Sequence, residues 1–121
     1  MKYDENNIFA KILRGEIPCK KIYEDNFVLS FHDINPQKKI HALVIPKGKY
    51  VDLDDFSQNA SSEEMVGLLK GINTVAKKLG ISVDVGRGYR TLSNISEDGG
   101  QEVPHLHFHL FGGEKVGKMV V

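Results

Sequence analysis

The sequence predicts an α+β domain in which a five-stranded antiparallel sheet carries two helices. Three observations predict this class. Residues 61–79 have apolar side chains at the three-four spacing of an amphipathic helix. Short segments rich in β-branched and aromatic residues alternate with polar turns, which is typical of antiparallel strands. With 121 residues the chain is long enough for one core, so we expect a single domain over residues 1–121.

A short helix and a hairpin begin the chain. Residues 8–13 place four apolar side chains on one helical face, and Gly15 provides a left-handed end. The β-rich residues 21–24 and 27–31 flank the polar pair 25–26, which predicts two antiparallel strands joined by a tight turn.

The middle of the chain adds a third strand and the longer helix. Residues 40–45 form the strand, and an aspartate-rich loop follows at residues 52–55. The helix over residues 61–79 opens with Ser61-x-x-Glu64, a capping box in which hydroxyl and carboxylate each bond a backbone amide of the first turn. Gly80 ends it.

The last third of the chain contains two further strands. Residues 83–95 alternate weakly and predict the fourth strand, and residues 96–101 form a polar loop. Residues 105–111 alternate histidine with large apolar residues, which is the pattern of a half-buried strand. The apolar side chains of Leu106, Phe108 and Leu110 would pack inward. The three histidines would then present their imidazoles on the opposite, outward face.

The composition argues against several classes of partner. Lysine plus arginine equals aspartate plus glutamate at 16 each, so no net charge favours nucleic acid or an anionic membrane. No apolar run approaches the roughly 20 residues of a membrane span. The single cysteine, Cys19, and a polar N-terminus without the apolar segment of a signal peptide predict a reducing, cytoplasmic location.

The histidine run at residues 105–111 is the candidate functional element, and its spacing suits three explanations. Zinc is the first, because imidazole is a common zinc ligand, although no acidic residue lies within the run to hold the second nitrogen of a ligating histidine. A solvated sheet face without a function is the second. Attack by an imidazole on phosphorus is the third, and we favour it; it requires no metal and no cofactor.

Attack on phosphorus requires a neutral imidazole whose far nitrogen is hydrogen-bonded, so that the near nitrogen carries the lone pair. Clustered imidazoles keep at least one member neutral near pH 7, because neighbouring positive charges repel, and another member can stay protonated. Backbone donors for an anion can come from the glycine-rich residues 99–101, just before the run. The residue pattern leaves open which histidine has which role.

The run resembles the His-φ-His-φ-His-φ-φ pattern, with φ apolar, that defines the histidine triad (HIT) superfamily. Further segments resemble its nucleotide-binding branch, the purine nucleoside phosphoramidases, in the same order along the chain. The resemblance covers about residues 7–113 and leaves 114–121 as a C-terminal tail. The matching segments are residues 8–12, 16–18, 31–36, 41–47 and 98–101.

The resemblance implies a HIT-like fold and hydrolysis of nucleoside 5′-phosphoramidates such as AMP-NH2 or AMP-lysine. His107 would attack the α-phosphorus, and water would then release the nucleoside monophosphate from a covalent nucleotidyl-histidine. His109 would assist the leaving group, and His105 and His41 would complete the cluster. Two alternatives stay open: hydrolysis of dinucleoside polyphosphates, and a nucleotide-sensing or partner-binding module whose hydrolysis is incidental.

The resemblance also implies a nucleotide pocket and a homodimer whose sheet continues across the interface. Asp33 would accept hydrogen bonds from the ribose hydroxyls of a purine nucleotide, an AMP or GMP derivative. An apolar slot would hold the base, and Asn94 with nearby backbone amides would contact the phosphate. The slot comprises Phe9, Ile12, Phe31 and Ile34, and the amides lie between Gly100 and Val103, with Gln101 among them.

Three features depart from the family pattern. Lys49 stands where many members have a second histidine after the Ile-Pro-Lys segment. Glu102 stands where a serine often touches the phosphate, and a carboxylate there would repel the anion unless it turned outward. The tail, residues 114–121, lacks the aromatic-proline ending of the animal proteins, which leaves the preference among amine leaving groups open.

Overall fold

The computed structural model describes residues 2–119, which form a five-stranded antiparallel sheet with helices packed on it. The strands are β1 (Lys21–Glu24), β2 (Val28–His32), β3 (Ile40–Pro46), β4 (Arg90–Leu92) and β5 (Phe108–Gly112). The helices are α1 (Ile8–Leu13), α2 (Leu53–Asn59) and α3 (Ser62–Lys78). The strand order is β1-β2-β3-β5-β4, and each adjacent pair is antiparallel. The predicted α+β class and five-stranded sheet are confirmed.

The sheet separates two apolar clusters. On one face α3 packs against β2 and β3, and the larger cluster there includes the fully buried Val44 and Leu110. On the other face a smaller cluster contains Phe9 of α1, whose ring meets that of Phe31 edge to face at a centroid distance of 5.6 Å. The core therefore lies in two layers, and α1 contributes to the second.

Strand register places two histidines side by side on the α1 face. In the β3–β5 pair Leu43 lies opposite His109, and His41 lies opposite Phe111. Directly paired residues share a face, as do residues two apart on one strand. His41 and His109 therefore project from neighbouring strands into the same space.

The longest helix in residues 2–119 is α3, and it begins and ends as predicted. The Ser61 hydroxyl accepts from the Glu64 amide at 3.1 Å, and the Glu64 carboxylate accepts from the Ser61 amide at 3.0 Å. Gly80, with φ of +71°, follows its last turn. Gly67 lets the helix approach the hairpin, since a Cβ there would lie 2.5 Å from the Phe27 ring. None of the helices described is long and apolar enough to span a membrane.

Two segments differ from the prediction. The aspartate-rich segment is not a loop but α2, because the Asp52 carboxylate accepts from the Asp55 amide at 2.8 Å and caps the helix. The strand expected over residues 83–95 is limited to β4. A 3-10 turn at Val83–Val85 precedes it, and Gly86 at φ of +76° ends that turn and redirects the chain.

The histidine run is a strand only in its second half. β5 begins at Phe108, so His105 and His107 precede it. Leu106 and Leu110 are fully buried, as predicted. The expectation of three imidazoles on one outward face is wrong, however, because His105 is 0 % exposed and His107 is 6 % exposed.

Candidate active site

His107 is held in the tautomer that nucleophilic attack requires. Its Nδ1 lies 2.7 Å from the carbonyl oxygen of His105. A carbonyl oxygen only accepts, so Nδ1 carries the hydrogen and the lone pair is on Nε2. The ring of Phe9 meets the His107 ring edge to face at a centroid distance of 5.0 Å and limits its rotation. The result is an oriented, neutral imidazole.

His41 and His109 form a hydrogen-bonded pair with a defined direction. The Gln37 backbone amide donates to Nδ1 of His41 at 3.1 Å, so the neutral His41 ring carries its hydrogen on Nε2. That Nε2 lies 2.9 Å from Nδ1 of His109 and donates to it. Neutral His109 therefore carries its own hydrogen on Nε2. Asp33 Oδ2 lies 3.4 Å from Nε2 of His41 and adds a negative charge beside the pair.

His105 has both ring nitrogens occupied by protein groups. Its Nε2 lies 2.9 Å from the carbonyl oxygen of Pro46 and donates to it. Its Nδ1 therefore carries the lone pair, which accepts the hydroxyl hydrogen of Tyr3 at 2.5 Å. With no exposed surface and no vacant nitrogen, His105 is not positioned to touch a ligand.

Burial is the main reason that these histidines are neutral. It lowers the pKa of His105 to about 4, and it lowers the pKa of His109 to about 4 with smaller contributions from the charges of His107 and His41. It also lowers the pKa of His107 and of His41 below the ordinary histidine value. Mutual repulsion, which we expected to be the cause, is secondary. The protonated helper expected from the sequence is not favoured in the free protein.

A cavity of about 680 Å³ opens onto His107, His109 and His41. That volume lies in the range of small-molecule sites, roughly 300–1,000 Å³. Most of the site residues expected from the sequence line it. These are Phe9, Asp33, His41, Asn94, Gly100, Val103, His107 and His109.

The remaining expected residues lie behind or beside the cavity. Phe31 is buried in the α1-side cluster, and Ile12 packs against that cluster. Ile34 is 87 % exposed and borders a neighbouring groove of about 510 Å³. The Gln101 side chain points away from the cavity lining and donates to the Val51 carbonyl at 2.7 Å, so it braces its loop.

The glycine-rich loop uses the amides that we expected to hold an anion. The amides of residues 99–101 donate to the carbonyls of residues 95–97 at 3.0 to 3.2 Å. Gly100, with φ of +75°, allows this tight turn. The amides of Glu102 and Val103 have no hydrogen-bond acceptor within residues 2–119. The amides available to a bound anion are therefore those of Glu102 and Val103, one and two residues after the predicted donors at residues 99–101.

Comparison with known proteins decides the family. Residues 14–116 match the model of the HIT domain. The chain belongs to the HIT domain family. It is 56 % identical over 118 residues to a 13.2 kDa HIT-like protein of Azospirillum brasilense, covering 98 % of this chain and 94 % of that one.

Two further HIT relatives carry more descriptive names. The purine nucleoside phosphoramidase of Escherichia coli is 40 % identical over 117 residues, covering 96 % of this chain and 94 % of that protein. The solved structure of a HIT family hydrolase from Clostridium thermocellum superposes with a TM-score of 0.84 at 37 % identity, covering 98 % of this chain and 99 % of that one. The fold and the family are therefore shown together.

The departures from the HIT pattern have definite positions in the structure. Lys49 donates to the Glu5 carboxylate at 2.8 Å. It therefore connects the segment that follows β3 to the N-terminal segment. Glu102 is exposed and lines the cavity, which places a negative charge beside the unpartnered amides. The C-terminal tail is described to residue 119; residues 120 and 121 lie outside the described part of the chain.

The HIT cavity also contains residues that the sequence reasoning missed. Gln37 donates its backbone amide hydrogen to Nδ1 of His41. Any residue type could make this contact, so the sequence contains no signal for it. Phe111 stacks on His109 at a centroid distance of 5.7 Å, and its alternation with that histidine in β5 was the available signal. Ser93 lies outside the cavity lining and donates its hydroxyl hydrogen to the His107 carbonyl at 2.7 Å. Other missed lining residues are Asn35, Leu43 and Leu92.

A metal ion suits this site poorly, although Asp33, His41 and His109 offer ligand atoms within 4.8 Å of one another. A histidine that binds metal through Nε2 needs the lone pair there and a hydrogen on Nδ1. Nδ1 of His41 instead accepts from the Gln37 amide, so its Nε2 carries the hydrogen. Metal binding would break that hydrogen bond.

Proposed function

We propose that this chain is a nucleotide-binding hydrolase that cleaves the P–N bond of nucleoside 5′-phosphoramidates and releases the nucleoside monophosphate. The observation that carries the proposal is the 2.7 Å contact of His107 Nδ1 with the His105 carbonyl, which leaves Nε2 with the lone pair at the cavity. The 40 % identity to a purine nucleoside phosphoramidase supports this substrate class.

The first step joins His107 Nε2 to the α-phosphorus and breaks the P–N bond. Binding of the anionic phosphoryl group raises the pKa of His109, because a nearby negative charge stabilises the imidazolium. His109 then takes up a proton from solvent on Nδ1, and the Nε2 hydrogen of His41 turns to Asp33 Oδ2, 3.4 Å away. His109 then gives a proton to the leaving nitrogen, which departs as the amine with the electron pair of the P–N bond. The product of this step is a nucleotidyl-imidazolium on His107 and a neutral His109.

The second step returns the enzyme to its starting state. Neutral His109 accepts a proton from water as the water oxygen attacks phosphorus. The bond from phosphorus to His107 Nε2 breaks, and its electron pair returns to the ring. The nucleoside monophosphate carries the new oxygen, and His109 loses its extra proton to solvent when the anion leaves.

The cavity lining supports a position for each part of the nucleotide. Asp33, at the rim, would accept from the ribose hydroxyls; its Oδ1 already bonds the Asn35 amide at 2.8 Å, which holds the carboxylate in place. Phe9 would contact the base, with Phe31 and Ile12 behind it. Asn94 and the amides of Glu102 and Val103 would bind phosphate oxygens, and Gly100, Gln101 and Ile34 would shape the surrounding loops.

We also propose that two copies of the chain form a homodimer. The exposed apolar residues Val66 and Leu69 on α3 are 50 % and 68 % exposed, and β4 is an edge of the sheet. Both features favour an isologous contact that covers them. Sedimentation equilibrium would give a dimer mass, and a monomer mass at micromolar concentration would contradict the proposal.

Intact mass spectrometry after brief mixing with adenosine 5′-phosphoramidate tests the reaction. The wild-type chain is expected to gain one nucleotidyl group on His107 and to release AMP. His107→Ala should bind AMP but form no adduct and show no turnover, whereas His32→Ala, an exposed histidine outside the cavity, should behave as the wild type. Full turnover by His107→Ala would overturn the mechanism.

Parallel rates on a dinucleoside polyphosphate determine the substrate class. If the chain hydrolyses the polyphosphate faster than the phosphoramidate, dinucleoside polyphosphates are its preferred substrate class. Tight AMP binding without turnover of either substrate would instead support a nucleotide-sensing module.

A further inference from the structure

His105 belongs to the histidine run, yet the proposed chemistry gives it no contact with the ligand. Its ring is fully buried and is held at two points, by the Pro46 carbonyl at 2.9 Å and by the Tyr3 hydroxyl at 2.5 Å. Tyr3 lies 102 residues away in sequence, and its ring meets the His105 ring edge to face at a centroid distance of 5.6 Å. A partner contributed from the N-terminal segment therefore completes the hydrogen bonding of this imidazole.

The backbone of His105 orients the nucleophile. Its carbonyl oxygen accepts from His107 Nδ1 at 2.7 Å, which is the hydrogen bond that selects the attacking tautomer. The segment between these residues lies outside a regular strand, since β5 begins only at Phe108. The β5 ladder therefore does not hold the His105 carbonyl in position. The Leu106 amide, which belongs to the same planar peptide unit, donates to the Tyr50 carbonyl at 2.8 Å, and the two anchors of the His105 ring hold the other side of the residue.

The N-terminal segment, residues 3–7, is itself tied to the body of the protein. The Glu5 carbonyl accepts from Arg14 at 2.8 Å, and the Glu5 carboxylate bonds Lys49 at 2.8 Å. Asn7 caps α1 by accepting from the Ala10 amide at 2.9 Å. These contacts hold Tyr3 where its hydroxyl reaches His105. Lys49, one of the positions at which the chain departs from the HIT pattern, makes one of these contacts.

We propose that Tyr3 is a positioning residue of this site: its hydroxyl holds the His105 ring, and the His105 carbonyl thereby holds His107 in the attacking tautomer and orientation. The inference rests on the proposed function for its kinetic consequence. Its structural consequence, the tautomer of two imidazoles, can be measured without any substrate.

Tyr3→Phe is the direct test, because it removes the hydroxyl and retains the ring. Without that donor, Nδ1 of His105 is a buried acceptor with no partner, and the peptide that carries the His105 carbonyl is less well held. We expect kcat to fall about three- to tenfold, the equivalent of one hydrogen bond, while KM stays within about twofold because the cavity lining is intact.

The dependence of kcat on pH is a second measurement, and a general loss of stability would not shift it. A hydroxyl that donates to Nδ1 stabilises neutral His105. In Tyr3→Phe this ring protonates more readily, so the acid limb of the kcat profile should move to higher pH. Tyr23→Phe is the matched control, since it removes a hydroxyl that bonds the Asp25 carboxylate at 2.8 Å, away from the cavity lining.

Imidazole nitrogen NMR on the ligand-free chain completes the test. In Tyr3→Phe the signals of His105 Nδ1 and of His107 should change, while in Tyr23→Phe they should match the wild type. Wild-type kcat, an unmoved acid limb and unchanged His107 signals in folded Tyr3→Phe would overturn the inference. If the wild type forms no nucleotidyl adduct, the proposed function fails, and the NMR comparison still decides whether Tyr3 positions His107.

Discussion

The two ends of the histidine run contain the same residue type at the same alternation, and the fold gives them opposite surroundings. At the N-terminal end, His105 is sealed and both of its nitrogens bond protein groups. At the C-terminal end, His109 lines the cavity, and within residues 2–119 only its Nδ1 has a hydrogen-bond partner, which is His41. One histidine contributes to structure, and the other has a donor available for a ligand.

The point at which the chain enters the sheet causes this difference. His109 lies in β5, whose register with β3 sets it beside His41. His105 lies before β5, where the chain is free to turn its side chain toward Pro46 and Tyr3. Alternation in sequence therefore gives a common face only over the residues that pair in the sheet.

The largest expected effect is the contrast between His105→Ala and His109→Ala. His105→Ala removes a fully buried ring and leaves the Tyr3 hydroxyl without its partner, so the free energy of unfolding should fall by about 2–4 kcal/mol. His109→Ala should cost about 1 kcal/mol or less but reduce kcat about 100-fold or more. Urea denaturation and turnover measure the two effects, and equal losses of stability in both variants would contradict the comparison.

A second expectation concerns stability against pH. His105 and His109 have pKa values near 4 in the folded chain, against an ordinary value of 6.5. Between pH 7 and 5 the unfolded chain therefore binds more protons, and the free energy of unfolding should decrease as the pH falls, with a limit of about 3 kcal/mol per histidine.

Denaturation at pH 7, 6 and 5 measures that slope. His109→Asn should reduce it, because the variant lacks one of the histidines whose pKa burial lowers, while His32→Asn, an exposed control, should retain it. A stability that stays constant over this range would show that burial does not keep these rings neutral.

The smallest expected effect concerns the cavity beside the C-terminal end of the histidine run. Glu102 lines the cavity with an exposed carboxylate, and its charge opposes that of a bound phosphate. Glu102→Gln should therefore tighten AMP binding about two- to fivefold at low salt, with a smaller gain at high salt. Isothermal titration calorimetry measures the affinity, and Glu97→Gln, in the same loop but outside the cavity lining, is the control. Equal gains in both variants would indicate a general charge effect.

The sequence was sufficient for the parts of the fold that depend on local pattern. The capping box at Ser61 and Glu64 and the sheet class followed from spacing and turn residues, because neighbouring residues make those contacts. The α2 helix was missed because aspartates favour loops and helix N-termini equally. The residue pattern placed the anion donors at the glycines, although the loop uses those amides itself. The range implied by the resemblance, Gly100 to Val103, includes the two amides that have no acceptor within residues 2–119.

For the site, chemistry alone required a neutral imidazole with its far nitrogen bonded, and the histidine run supplied the candidates. The resemblance implied His107, and the hydrogen bond that orients it, from Nδ1 to the His105 carbonyl, spans only two residues. Only the tertiary structure decided what holds the other imidazoles of the cluster. The deciding contacts join Tyr3 to His105, Pro46 to His105 and His41 to His109, across 102, 59 and 68 residues of chain. Such partners have no spacing rule in sequence, because they meet only when the sheet and its covering segments have assembled.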